Sequence, residues 1–250
     1  MQLQCLGTVG YHPNAQRHTS CYFLPESGIL LDAGTGIFRL SSRIQSDSLD
    51  ILLSHAHLDH TCGLTFLLDV LFETPVKSCR IWGEKAKLDA VRSHLFSDLI
   101  FPASLDAEWM EIDELDEFTI GDCLISYRTQ DHPGGSVAYR LEWKNEQKQL
   151  VYATDNTGDT SEAMAAWGKR CDLLMQECYF RDSAAQWAQK TGHCWTSRVA
   201  EVAKGMSPKK LLITHVNPLD LSADPVDLET IRHQVDCPVI LAEDEMIVDF

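Results

Sequence analysis

The chain has 250 residues, 44% hydrophobic and 23% charged, which places it among ordinary globular proteins with length for one substantial core. Its 21 Lys and Arg face 37 Asp and Glu, a formal charge of −16 that removes the usual electrostatic basis for holding long RNA or DNA. A compact anion stays compatible, because divalent cations in a pocket reverse the field locally.

In chain order, Leu3–Leu6, Ser20–Leu24, Ile29–Asp32 and Leu49–Leu53 are short apolar runs broken by turn residues, and each predicts a strand. Leu64, Leu67, Leu68 and Leu71 then recur at helical spacing, which predicts a helix beginning just after His60. The middle is sheet-rich: Cys79–Trp82, Phe118–Ile120, Cys123–Thr129, Val137–Trp143 and Leu150–Thr154 read as strands, and Glu84–Phe96 as a helix. The last third alternates, with strands at Leu173–Gln176, Lys210–Thr214 and Val239–Ala242 and helices at Ser197–Lys204 and Pro225–His233. No repeat and no linker divides the chain, so 1–250 is expected to be one domain.

Nine cysteines scattered singly, without a CxxC pair, point to a reduced and cytoplasmic protein. The first residues lack a basic and apolar leader, and no apolar run approaches the roughly 18 residues that span a bilayer.

The chemistry concentrates in Ser54-His55-Ala56-His57-Leu58-Asp59-His60, directly after a predicted strand. His55 and His57, two apart in an extended loop, can turn both imidazoles to one ion, and Asp59 and His60 can reach a second. A solvated polar loop seldom gathers three His and one Asp at this spacing. The remaining ligands must come from elsewhere, and His132, Asp155 and His215 each follow a predicted strand. Strand ends at one sheet edge converge, so single polar residues there can assemble a site. His12, His18, His94 and His233 stand in no such constellation. Gly134-Gly135 fits a tight turn as well as a close ligand approach, and Trp195 fits core as well as a pocket wall.

The HxHxDH stretch followed by His132, Asp155 and His215 resembles the metallo-β-lactamase superfamily, and within it the ribonuclease Z branch. The resemblance extends through Leu6-Gly7-Thr8, Arg17 to Cys21, Leu31-Asp32-Ala33-Gly34, His132-Pro133 leading into Tyr139-Arg140, Asp172 to Glu177, and Gly192-His193. It implies an α/β fold, the αββα sandwich of two packed mixed β-sheets flanked by helices. It further implies two divalent metal ions, Zn²⁺ first with Mn²⁺ or Fe²⁺ as alternatives: His55, His57 and His132 on one, Asp59, His60 and His215 on the other, and Asp155 between them. His193 matches a histidine that delivers a proton to the leaving group, and Glu177 matches the glutamate that positions it, so His193, Glu177 and Asp59 form the implied catalytic set. Asp32 would orient a ligating imidazole.

Two features depart from that branch. Its transfer-RNA-grasping arm has no counterpart here, and Gln176 stands where a His usually precedes the glutamate. With the acidic charge, this favours a phosphodiesterase for a small or cyclic phosphodiester over long nucleic acid. A carboxylic-ester, thioester or lactone hydrolase is the second reading, with a tRNA 3′-processing endonuclease and a non-catalytic metal-binding protein ranked below it. No membrane partner is expected, and a homodimer is left open.

Overall fold

A computed structural model describes all 250 residues, which divide into two compact units: Met1–Asp116 with Glu243–Asp249, and Glu117–Ala242 with Phe250. The first unit is built on a seven-stranded sheet. Its strands are β1 (Gln2–Gly7), β2 (Cys21–Leu24), β3 (Ile29–Leu31), β4 (Ser48–Leu52), β5 (Ser78–Gly83), β6 (Glu108–Glu111) and β14 (Ile247–Asp249), in the order β14-β1-β2-β3-β4-β5-β6. The links from β14 to β3 are antiparallel and those from β3 to β6 parallel.

The central strands are buried on both faces, as parallel strands covered by other elements require, and their buried residues are apolar except Asp50, which is bonded by Arg80 and Trp82. Helix α2 (Leu67–Glu73) places Leu67 and Val70 in a core with Leu6, Phe23, Leu30, Ile51 and Leu64, and Leu71 packs against its margin. That i, i+3, i+4 stripe anchors the helix, each buried aliphatic side chain contributing about 1.5–3 kcal/mol. Helix α3 (Lys85–Ala90) lies on β5 and β6 and continues as a π-helical turn to Leu95.

The predicted helix after His60 is corrected in position and continuity. It starts before that residue, as α1 (Leu58–Thr61), passes through a 3₁₀ turn at Cys62–Phe66, and resumes as α2. The turn is tight because Gly63 lies against backbone: a Cβ there would sit 2.1 Å from the Gly34 carbonyl oxygen.

The second unit holds another seven-stranded sheet, in the order β13-β12-β11-β10-β9-β8-β7. Its strands are β7 (Glu117–Ile120), β8 (Cys123–Gln130), β9 (Ser136–Trp143), β10 (Lys148–Ala153), β11 (Leu173–Glu177), β12 (Leu211–Thr214) and β13 (Val239–Leu241). Links from β7 to β10 are antiparallel and those from β10 to β13 parallel. Helices α4 (Glu162–Trp167), α5 (Ala185–Thr191), α6 (Thr196–Met206) and α7 (Leu228–Arg232) complete it. Helix α6 buries Val199, Ala200, Val202, Ala203 and Met206 and packs on β11, α4 and α7. Ser161 caps α4 by accepting from the Met164 N–H at 3.2 Å.

Helix α7 begins at Leu228, three residues later than Pro225, because Asp224 takes the Val226 and Leu228 amides into a loop. No helix is long and apolar enough to cross a membrane, and all nine cysteines are free thiols.

Candidate metal centre

In the first unit the site is organised around Asp32, which follows β3 with its backbone in the left-handed region at φ +57 and is fully buried. Its carboxylate accepts from the Ser54 N–H at 2.7 Å and the Ser54 hydroxyl at 2.8 Å, and lies 2.7 Å from His60 Nδ1. The Ser54 oxygen is 3.0 Å from His55 Nδ1. With the hydroxyl proton committed to Asp32, His55 donates its Nδ1–H to Ser54, while His60 donates its own to Asp32. Both rings are thereby held in the tautomer whose Nε2 lone pair is available to a metal. Asp32 thus bonds the His60 ring directly and reaches the His55 ring through Ser54.

The rings of His55 and His57 are 4.5 Å apart and those of His55 and His60 4.3 Å, so the loop does converge as the spacing requires. His55 and His60 are buried; His57 is exposed at the N-terminus of α1. Asp59 lies 3.4 Å from His60 Nε2 and accepts the Tyr11 N–H at 2.7 Å.

In the second unit each candidate arrives on a different strand end. His132 follows β8 and donates Nδ1–H to the Gly192 carbonyl at 2.9 Å, leaving Nε2 at 3.5 Å from Asp155 Oδ2. Burial lowers the His132 pKa, outweighing the pull of Asp155, and favours the neutral form that binds metals. Gly192, at φ +80, could carry no side chain: a Cβ would meet Pro133 Cδ at 2.3 Å. Asp155 follows β10 at φ +46; its Oδ1 accepts from the Thr154 hydroxyl at 2.7 Å and lies 3.1 Å from His215 Nε2. His215 follows β12, again left-handed at φ +50. Such conformations are costly outside glycine and gather where a side chain must be aimed.

Glu177 ends β11 fully buried, accepts the Asn156 N–H at 2.5 Å, and lies 3.1 Å from His193 Nδ1. His193 stacks on Tyr179, centroids 4.6 Å apart at 21°, and lies parallel to His215 at 5.6 Å. Glu177, His193 and His215 offer atoms within 4.8 Å of one another and could themselves share an ion. The hydrogen bond to His193 Nδ1 instead makes Glu177 a carboxylate that fixes the orientation of the His193 ring. Gln176 donates to Asn156 Oδ1 at 3.3 Å, an amide serving to brace the loop beneath Glu177.

Sequence reasoning missed four contributors: Ser54, the Tyr11 and Asn156 amides, and the Gly192 carbonyl. Three act through backbone, which carries no residue-type signal; Ser54 adjoins the motif and was within reach. His12 and His233 bond only neighbouring carbonyls, and His18 bonds Thr35. Trp195 precedes α6, half-buried beneath the Arg198 guanidinium.

Residues 28–216 match the family model described as the beta-lactamase superfamily domain. The ribonuclease Z of Archaeoglobus fulgidus is 23% identical to this chain over an alignment covering 98% of it and 96% of that protein. Among solved structures, the metallo-beta-lactamase fold protein YhfI from Bacillus subtilis superposes with a TM-score of 0.80 at 20% identity, covering 99% of both chains. The short form of human tRNase Z gives 0.77 at 21% identity, covering 100% of this chain and 99% of that one. These likenesses show the αββα fold class expected from the sequence. The chain belongs to the metallo-β-lactamase superfamily, in its ribonuclease Z-like branch, and is a metal-dependent hydrolase.

Proposed function

We propose that the chain is a dinuclear phosphodiesterase acting on a small or cyclic phosphodiester, its two halves forming one hydrolase domain over 1–250. In this reading His55, His57 and His132 hold one divalent cation, Asp59, His60 and His215 hold the other, and Asp155 serves both. The donor chemistry fits: imidazole nitrogens and carboxylate oxygens suit Zn²⁺, Mn²⁺ or Fe²⁺, and the Nδ1 bonds of His55, His60 and His132 make each Nε2 the lone-pair nitrogen that an ion would take. When bound, two such ions supply Lewis acidity and a nucleophile from water near neutral pH.

The observation that carries the phosphodiester reading is the Glu177–His193 pair at 3.1 Å. Hydrolysis of a phosphodiester breaks one P–O bond and expels an alkoxide that needs a proton, and an imidazolium held by a buried carboxylate would supply one from Nε2. Asp59 belongs to the ligand set and, beside the nucleophile, to the catalytic set. A small substrate is supported by the charge of −16 and by the stretch from Asp155 to His193, which folds into α4, β11 and α5 with no extended arm.

The test is turnover of bis(p-nitrophenyl) phosphate by protein loaded with Zn²⁺ or Mn²⁺, beside a lactone and thioester panel. Higher kcat/KM on the carbonyl panel reverses the assignment to the second reading. Processing of a transfer RNA 3′ end at a higher kcat/KM than any small diester replaces the substrate class. Unimpaired turnover by Asp155→Ala sinks the two-metal reading.

A further inference from the structure

We propose that the second unit carries a binding site for a compact polyphosphate anion, separate from the metal centre, at the opposite end of its parallel strands. A cavity of about 410 Å³ is lined by Lys144, Lys148, Lys169, Arg170 and Lys209. Its only acidic lining residues are Glu142 and Asp172. Five of the chain's 21 cationic residues thus face one small space on a protein whose net charge is −16, an arrangement that self-repulsion opposes unless an anion neutralises it.

The two carboxylates do not satisfy these cations. Asp172 is shared by Lys209 at 2.8 Å and Lys148 at 3.6 Å, and Glu142 is taken by Arg140 at 2.7 Å, outside the lining. Lys144 and Arg170 form no ion pair, and Lys169 reaches only the Gly205 carbonyl, at 3.3 Å. Arg170 is also held in the left-handed region at φ +59, its N–H fixed on the Met206 carbonyl at 2.8 Å. Arg170 closes the turn that follows α4, and its fixed backbone sets where the side chain leaves the surface.

The place in the fold separates this site from the chemistry. Lys148 opens β10, Asp172 precedes β11 and Lys209 precedes β12, whereas Asp155, Glu177 and His215 stand at the other ends of those same strands. The five residues of β11 put about 16 Å between the two edges. The class of anion follows from the lining. The positive excess suits adjacent phosphoryl groups, and a cavity of about 410 Å³ excludes a duplex. Trp143, the aromatic lining residue, is 1% exposed and offers no ring face on which a base could stack.

The probe is tripolyphosphate, measured by equilibrium dialysis against metal-loaded wild type, the double variant K144Q/R170Q, and Asp155→Ala. Lys144 and Arg170 are exposed and unpaired, so the double variant is expected to keep its melting temperature and its diesterase turnover. The proposal expects K144Q/R170Q to bind at least about tenfold more weakly and Asp155→Ala to bind like wild type. Equal affinity in the double variant overturns it. So does binding lost only in Asp155→Ala, which would put the anion on the metals. Should Asp155→Ala fail to fold, K169Q/K209Q replaces it as a second variant of the cavity, and unchanged affinity there has the same force. Because turnover is read separately, failure of this site and failure of the phosphodiesterase assignment are distinguishable.

Discussion

In both sheets three antiparallel links give way to three parallel ones, and in both the strand where the direction changes, β3 or β10, is followed by a left-handed aspartate, Asp32 or Asp155. The two residues occupy matching places in sequences that show no repeat, and they do different work. Asp32 spends its oxygens inward, on the Ser54 amide, the Ser54 hydroxyl and His60 Nδ1. Asp155 accepts one hydroxyl, from Thr154, and otherwise approaches the Nε2 atoms of His132 and His215, the atoms a metal would take. In the proposed reading, the same topological position thus supplies an orienter in one half and a ligand in the other. What decides is which groups the surrounding strand ends bring to the carboxylate: hydrogen donors from the loop after β4 for Asp32, imidazole nitrogens from the ends of β8 and β12 for Asp155.

This division of labour can be broken by substitution. Asp155→Ala should lose both ions by elemental analysis and at least about a thousandfold in kcat/KM, because the shared carboxylate goes. His193→Ala should keep its metal and lose about 10²- to 10⁴-fold in kcat with KM little changed; loss of metal instead would make His193 a ligand. Asp32→Asn should weaken metal binding by about 10- to 100-fold yet recover turnover when metal is saturating. If it stays inactive there, Asp32 is more than an orienter. Gly192→Ala should lower the melting temperature by an amount matching about 1 kcal/mol or more, since its φ and the Pro133 contact both oppose a side chain, and it should disturb the ion held by His132 before the other.

The first half of the site was legible because it is local: four candidate ligands within six residues, read from spacing alone. The second half was legible only as single residues after apolar runs, and resemblance was needed to join them. Most central strands could be read because their burial makes continuous apolar runs. The edge strands β6 and β14 could not, since Glu108–Glu111 and Ile247–Asp249 are partly exposed and carry acidic residues. Helix α5 buries only Ala188, so no apolar period marks it. The start of α1 was misplaced because His57 caps it without any side-chain hydrogen bond, leaving no Ser, Thr, Asp or Asn to mark the entry.

The left-handed backbone at Asp32, Asp155 and His215 sets three functional side chains on turns where glycine is sterically easier. At Asp155 an alanine would meet about 1–2 kcal/mol of steric opposition that a glycine avoids, so Asp155→Gly should melt above Asp155→Ala although both are inactive. A thermostabilised descendant that still turns over substrate must find its gains away from these three turns.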